Sequence, residues 1–265
     1  MHIICKNCEN HYSGNFCPKC GQKSAVHRIT IAHVAEEFWH NFTHTDKNYF
    51  SYAATLITKP GTVISEYIQG KRTKYFNPYT FYLVTTSLLV LVVKSVFHLE
   101  NEKYQTNNEF GYYTDSNINI IILCMLPLLT LIFQLFYRDK KLNYAESFTA
   151  LIIMFSLMNL FLLITNLFYL IFIQYHFETH GYLLMIGYLF VCWALFNYAK
   201  PKNIWQFFKP VIISVIFYFC VEYIGKGLAL WFWGMPFDKV LNSIIYSDDT
   251  HCFSAGRYRY FTKSN

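Results

Sequence analysis

The chain has 265 residues, of which 54% are hydrophobic, 20% aromatic and 14% charged, with a formal net charge of +6. Soluble domains average about 25% charged residues, so the composition excludes an ordinary soluble protein. Basic residues gathered beside apolar segments are typical of oriented membrane helices, which disfavours nucleic-acid binding as the reason for the positive charge. We expect a mainly α-helical, multi-pass membrane protein with a small soluble head.

Four cysteines near the N-terminus form the most specific chemical pattern in the chain. Cys5 and Cys8 make one C-x-x-C pair, and Cys17 and Cys20 make a second pair after an eight-residue loop. Two such pairs suit one tetrahedral ion, and zinc is the usual occupant. Because four thiolates leave no open ligand position, residues 1–28 are predicted to form a ribbon with a structural zinc ion. Iron in a rubredoxin-like site is the alternative.

Residues 29–78 are predicted to be cytosolic amphipathic and juxtamembrane helices. Residues 30–43 match an amphipathic helix, Asp46 suits the N-cap of a second helix running to Thr58, and a third is expected over 62–69. One polar face could approach a second metal ion, although a solvated helix face is the simpler explanation. That face carries His33, Glu37, His40 and His44.

A basic segment, Lys71, Arg72 and Lys74, precedes the first long apolar run. Its simplest role is to orient and anchor the membrane domain. A more specific role is contact with an anionic lipid headgroup, because each basic side chain near the membrane surface contributes about 1 kcal/mol. Aromatic residues around Tyr79 are expected at the headgroup level.

These segments together resemble a known family. The ribbon ends in CPKCGQK and is followed by RIT, by His44 and Asp46 in an H-x-D pattern, by KPG and by EYIQGKRTKYFNP. Over about residues 5–82 the combination resembles the uncharacterised bacterial membrane proteins grouped as domain of unknown function 3667. The resemblance implies a bacterial inner-membrane protein with a cytosolic ribbon, and it implies no activity.

Five apolar runs within a predicted membrane domain of residues 79–235 are long enough to span a bilayer, which takes about 20 residues. They cover approximately residues 79–97, 118–137, 148–173, 181–199 and 210–233. The loops before the first span, after the second and after the fourth carry three lysines or arginines each, and the intervening loops carry one or none. The positive-inside rule therefore predicts a cytoplasmic N-terminus and, after the fifth span, an external tail of residues 236–265.

Charged residues inside a membrane span are costly and suggest a function. Glu222 and Lys226 are separated by one helical turn of the fifth span and could form a polar intramembrane site or a self-neutralised pair. Asn159 and Asn166 share one face of the third span, where they are expected to join helices.

The sequence contains no phosphate-binding glycine loop, nucleophile elbow or H-E-x-x-H motif, which favours a non-enzymatic role. We therefore expect an interaction, assembly or regulatory protein that binds a cytosolic or membrane protein or a second copy of itself. A transporter or channel component that uses Glu222 and Lys226 is the main alternative. A membrane enzyme acting on lipid is a third.

Overall fold

The head of the protein is a small hairpin structure that surrounds the cysteines. The computed structural model describes residues 3–24, 26, 28–32, 34, 49–104, 117–172 and 180–232. Strands β1 (Ile3–Ile4) and β2 (His11–Tyr12) pair in antiparallel register, and a bridge between Phe16 and Lys23 closes a second turn. Cys5, Cys17 and Tyr12 form a small buried cluster between the two turns.

Helices make up the remainder of the described chain. A short 3-10 turn, Arg138–Lys140, follows the fourth helix, and a π-helical turn, Cys220–Gly225, follows the seventh. The helices are α1 (Tyr49–Thr58), α2 (Pro60–Ile68), α3 (Pro78–Tyr104), α4 (Ile118–Phe136), α5 (Tyr144–Phe172), α6 (His180–Ala199), α7 (Ile204–Phe219) and α8 (Lys226–Phe232).

Four of these helical segments are long and apolar enough to cross a membrane, by length and composition. They are Pro78–Leu99, Ile118–Phe136, Tyr144–Ile171 and Ile204–Phe232, and a shorter apolar helix covers Leu184–Ala199. The shorter helix lies where the sequence predicted the fourth span. The last segment begins at Ile204, so Pro210, which was expected to start it, lies inside the helix. The predicted mainly α-helical membrane fold is confirmed.

Helix α5 is the centre of the bundle and packs against α2, α3, α4 and α6. The Tyr79 hydroxyl on α3 lies 2.6 Å from the Thr149 hydroxyl on α5. The Asn159 amide nitrogen donates to the Thr86 hydroxyl at 2.7 Å, which confirms that Asn159 joins two helices. Asn166 instead donates to the Leu162 carbonyl of its own helix, so the same expectation is not met there.

Helices α1 and α2 form a hairpin that packs onto α5 and α6. Helix α2 begins at Pro60 rather than at residue 62, because a proline is well tolerated in the first helical turn. At Gly61 an added Cβ would lie 2.2 Å from the backbone carbonyl carbon and oxygen of Asn197 on α6. The two backbones therefore touch at this glycine, and the hairpin belongs to the bundle.

The aromatic residues at the start of α3 are also part of this core. Phe76, Tyr79, Phe81 and Tyr82 are all buried, and Phe81 packs against the ring of Tyr49 on α1 at 4.7 Å between centroids. These four rings therefore pack inside the protein, and their position at the headgroup level stays a prediction. Helix α1 covers the face that they present.

Candidate metal centre

The four predicted ligands come together in the head. Sγ of Cys5 lies 3.5 Å from Sγ of Cys20, and Sγ of Cys8 lies 3.6 Å from Sγ of Cys17. All four sulfur atoms lie within 4.8 Å of one another. A tetrahedral site with metal–sulfur bonds of about 2.3 Å places its sulfurs about 3.8 Å apart, so this arrangement could hold one metal ion.

Two matching backbone turns present the sulfurs. In the first, the Cys5 amide donates to the Asn10 carbonyl at 3.0 Å and the Glu9 amide donates to the Cys5 carbonyl at 2.9 Å. In the second, the Cys17 amide donates to the Gln22 carbonyl at 2.8 Å and the Gly21 amide donates to the Cys17 carbonyl at 2.9 Å. The repeated pattern explains why two C-x-x-C pairs give one symmetrical set of ligands.

Glu9 and Gly21 occupy the same position in the two turns. Both have a positive φ, 59° at Glu9 and 72° at Gly21. Glycine adopts this left-handed conformation at little cost, whereas a residue with a Cβ loses about 1 kcal/mol or more there. The first turn therefore carries strain that the second avoids.

The surroundings of the sulfur atoms favour the deprotonated thiolate form at some of the four cysteines and oppose it at others. Burial opposes ionisation of Cys20, but hydrogen bonds from Asn7 and the Gln22 backbone lower its pKa to about 6. At Cys8 the hydrogen bond to the Asn10 backbone lowers the pKa, yet burial and the neighbouring sulfurs raise it to about 12. Four thiolates this close repel one another, and a bound cation would relieve that repulsion.

The head is attached to the membrane bundle by an ion pair that the sequence patterns did not reveal. Arg28 donates from Nε to Oε1 of Glu146 at 2.8 Å and from Nη2 to Oε2 at 2.6 Å. Glu146 lies in the first turn of α5, and its side chain is 4% exposed. Asn143 and Glu146 also exchange backbone-to-side-chain hydrogen bonds of 2.9 and 2.7 Å, as in a capping box.

A second group of contacts joins the head to the loop after α2. Oε1 of the buried Gln22 accepts hydrogen bonds from the amide of Thr73 at 3.2 Å and from its hydroxyl at 2.8 Å. Within the head itself, Nζ of Lys6 donates to the Val26 carbonyl at 3.1 Å. Gln22 is the last residue of the second cysteine turn, so the metal site and the juxtamembrane loop are directly connected.

The basic segment contacts one carboxylate of α2. Nζ of Lys74 lies 2.6 Å from Oε2 of Glu66, Nζ of Lys71 lies 3.2 Å from Oε1, and the Tyr75 hydroxyl donates to Oε2 at 2.5 Å. These contacts, with Lys74 the largest, hold the pKa of Glu66 at about 2. Arg72 lies near Glu146 and adds positive charge around it. The predicted contact of Lys71, Arg72 and Lys74 with lipid headgroups stays a prediction.

The predicted intramembrane pair lies at an irregular part of the last span. Glu222 is inside the π-helical turn, and Lys226, the first residue of α8, is in ionic contact with Oε1 of Glu222. Tyr188 on α6 lies near Glu222, is buried, and has a hydroxyl with no hydrogen-bond partner among the described residues. The predicted second metal face, with Glu37, His40 and His44, lies outside the described residues, as does His33.

Fold and site together define a class: an α-helical protein with several membrane-type helices and a four-cysteine head that could hold a metal ion. A family described as "Protein of unknown function (DUF3667)" matches residues 50–90. That segment covers α1, α2, the basic segment and the first half of α3. The chain matches no curated protein and no solved structure.

Proposed function

We propose that the protein is a multi-pass protein of the bacterial inner membrane with an interaction, assembly or regulatory role, which its cytosolic ribbon carries out with a structural zinc ion. The observation that carries this proposal is the closed set of four sulfurs in a head that is bonded to the central helix. Four thiolates leave no position for a substrate on the metal, so the ion stabilises the head. A head held in one place on a bundle suits recognition of a partner.

The arrangement of basic loops supports the orientation. Arg28 of the head donates to the Lys141 carbonyl, Lys140 donates to the Ala199 carbonyl, and Lys209 donates to the Phe136 carbonyl. The head and the basic loops after α4 and α6 therefore gather at one end of the bundle. Basic loops face the cytoplasm by the positive-inside rule, and thiolate–metal sites persist in that reducing compartment.

Two exposed apolar side chains on the head are the candidates for partner contact. Ile4 in β1 is 59% exposed, and Phe16 beside the second cysteine turn is 58% exposed. Neither is a metal ligand, so each can be changed without removing a sulfur. The partner in this proposal is a cytosolic or membrane protein, or a second copy of the chain.

The test is metal analysis combined with affinity purification of the full chain in a gentle detergent. We expect one zinc per chain in the wild type and in Cys124→Ser, whose cysteine is exposed and lies outside the site. The Cys17→Ser/Cys20→Ser variant is expected to lose zinc, and with it a co-purifying protein. The variant Ile4→Ser/Phe16→Ser is expected to retain zinc and to lose the same protein.

Three results would contradict the proposal. Wild-type protein that contains no zinc would rule out a structural zinc ion. Iron with a thiolate-to-iron absorption band would support the rubredoxin-like alternative. If the same proteins co-purify with all variants, the head does not bind the partner. A reporter that is active only outside the membrane, fused after residue 78, would be active if the orientation were wrong.

A second candidate is a transporter or channel component that uses the pair in the last span. The observation that favours it is the π-helical turn at Glu222, because such turns occur frequently at functional sites. The test is an assay of solute or ion flux across vesicles that contain the protein. Glu222→Gln is expected to abolish flux while the zinc content is unchanged, and deletion of residues 1–28 is expected to leave flux in place.

A further inference from the structure

A basic cavity lies at the end of the bundle that carries the head, between the turn after α4 and the start of α7. Its volume is about 230 Å³. Four lysines against one aspartate give its wall an excess of three positive charges. It is lined by Tyr137, Asp139, Lys140, Ala199, Lys200, Lys202, Gln206 and Lys209.

Two of the lysines are held in place by the protein. Nζ of Lys209 donates to the Phe136 carbonyl at 3.3 Å, lies 3.7 Å from Oδ1 of Asp139 and stands 5.9 Å from the centre of the Tyr137 ring. Nζ of Lys140 donates to the Ala199 carbonyl at 3.5 Å. An ammonium group has three donors, so each of these lysines retains capacity for an anion in the cavity. Their positions are set before any ligand binds, which reduces the entropy lost on binding.

Tyr137 adds an unpaired polar group to the wall of the cavity. It is one of the residues that line the cavity, it is 3% exposed, and its buried hydroxyl has no hydrogen-bond partner in the part of the chain that the structure describes. Leaving a buried hydroxyl without a partner costs about 1–3 kcal/mol. An anion bound at this wall could accept the hydrogen bond that the hydroxyl lacks.

The size and the neighbourhood of the cavity indicate which anion it suits. Pockets for larger organic ligands measure about 300–1,000 Å³, so this cavity suits a small group such as a phosphate. A second, shallower depression shares Lys202 and is lined by Ile204 and Phe207. Trp205, in the first turn of α7, is 63% exposed, as expected of a tryptophan at the membrane interface. Exposed apolar side chains beside a basic cavity suit an amphipathic molecule.

We propose that this cavity binds the phosphate group of an anionic phospholipid, with Lys140, Lys202, Lys209 and the Tyr137 hydroxyl as donors. Basic pockets between helices at the cytoplasmic surface are known to recognise lipid headgroups in this way. The site is separate from the metal centre and does not depend on the proposed role of the head.

The test measures lipid retained by the full-length protein, by native mass spectrometry after purification in a neutral detergent. Phosphatidylglycerol is compared with phosphatidylcholine of the same acyl chains, and inorganic phosphate is tested separately by its effect on thermal unfolding. Phosphatidylglycerol is expected to bind the wild type in preference to phosphatidylcholine. Lys209→Gln, or Lys202→Gln if the former does not fold, is expected to weaken that binding about tenfold, the effect of one charge-assisted hydrogen bond.

Two further variants distinguish a specific lipid-binding site from nonspecific attraction between anionic lipid and surface lysines. Lys141→Gln removes the same charge from the position next to Lys140, but Lys141 does not line the cavity, so phosphatidylglycerol binding is expected to stay within twofold. Tyr137→Phe removes the hydroxyl alone and is expected to weaken binding several-fold. Equal retention of the two lipids, equal effects of Lys141→Gln and Lys209→Gln, or unchanged binding in Tyr137→Phe would overturn the proposal. Inorganic phosphate could instead stabilise the wild type but not Lys209→Gln, while the two lipids bind equally. That result would also overturn the proposal and identify free phosphate as the ligand.

Discussion

Arg28 and Glu146 are separated by 118 positions in the chain, and their side chains form two hydrogen bonds of 2.8 and 2.6 Å. The carboxylate is buried at the start of the central helix, while the Arg28 side chain is 65% exposed. The exposed arginine therefore compensates a buried charge and at the same time joins the four-cysteine head to the bundle.

Loss of this pair is expected to loosen the head. Arg28→Met leaves the Glu146 carboxylate without its guanidinium partner and is expected to lower the thermal unfolding midpoint by a few degrees, less than for a fully buried pair because Arg28 faces water. A double-mutant cycle with Glu146→Gln, measured by denaturation in detergent, should give a favourable coupling energy between the two residues. Arg138→Gln, an exposed arginine in the same basic region, is the control and should change little. Additive effects of Arg28→Met and Glu146→Gln would show that the contact contributes no stability.

The strained first cysteine turn predicts a stabilising substitution. Glu9→Gly places glycine at φ 59°, the conformation that Gly21 has in the second turn, and is expected to stabilise the head by about 0.5–1 kcal/mol. Gly21→Ala is expected to lose a similar amount through the backbone alone, because no atom lies within 4 Å of its Cβ position. Zinc affinity measured against a competing chelator reports both changes. A lower affinity in Glu9→Gly would contradict the assignment of strain to this residue.

The contact at Gly61 predicts a severe loss of stability. An added methyl group would meet the Asn197 backbone at 2.2 Å, and a backbone cannot move aside as a flexible side chain can. Gly61→Ala is therefore expected to separate α2 from α6 and to cost about 3 kcal/mol or more. Gly187→Ala is the matched control, since its nearest neighbour is a Met158 side chain at 3.0 Å. Equal thermal unfolding midpoints for the two variants would show that the hairpin does not depend on this contact.

The lowered pKa of the Glu66 carboxylate predicts that the stability of the folded protein depends on pH. Because Lys74, Tyr75 and Lys71 hold its pKa at about 2, below the ordinary value of 4.5, the ionised form is stabilised in the folded protein. This stability is fully present above about pH 4.5 and is lost as the pH falls through about 2. The difference in unfolding midpoint between the wild type and Glu66→Gln should thus be constant from pH 7 to 5 and shrink towards pH 3. A difference that does not change with pH would show that the carboxylate charge is irrelevant.

Local sequence patterns were sufficient where the structure depends on neighbours in the chain. Two C-x-x-C pairs predicted one set of four ligands because each pair is presented by its own short turn. The helical membrane architecture followed from long apolar runs, since a bilayer requires about 20 such residues in a helix. The exact start of a helix was less predictable. Pro60 begins α2, as proline often does, whereas Pro210 lies inside α7, where a membrane helix tolerates a proline that would break most soluble helices.

Contacts between distant segments were not predictable in this way. In the sequence, Arg28 lies in a short polar segment, and Glu146 lies next to an apolar run like any other flanking charge. Nothing in either neighbourhood indicates the other, since an ion pair across the fold depends on how whole helices pack. The aromatic residues before the first span had the composition of a membrane-interface belt, and only the position of α1 shows that they are buried.

The sequence by itself determined the ligand set of the head, the apolar helices and the grouping of basic residues, because each depends on residue type and short spacing. The tertiary structure decided that the head is bonded to the central helix, that α1 and α2 are packed into the bundle, and that lysines from two loops and from α7 line one cavity. These features depend on which helix ends meet, and that is set by the packing of side chains over the whole bundle.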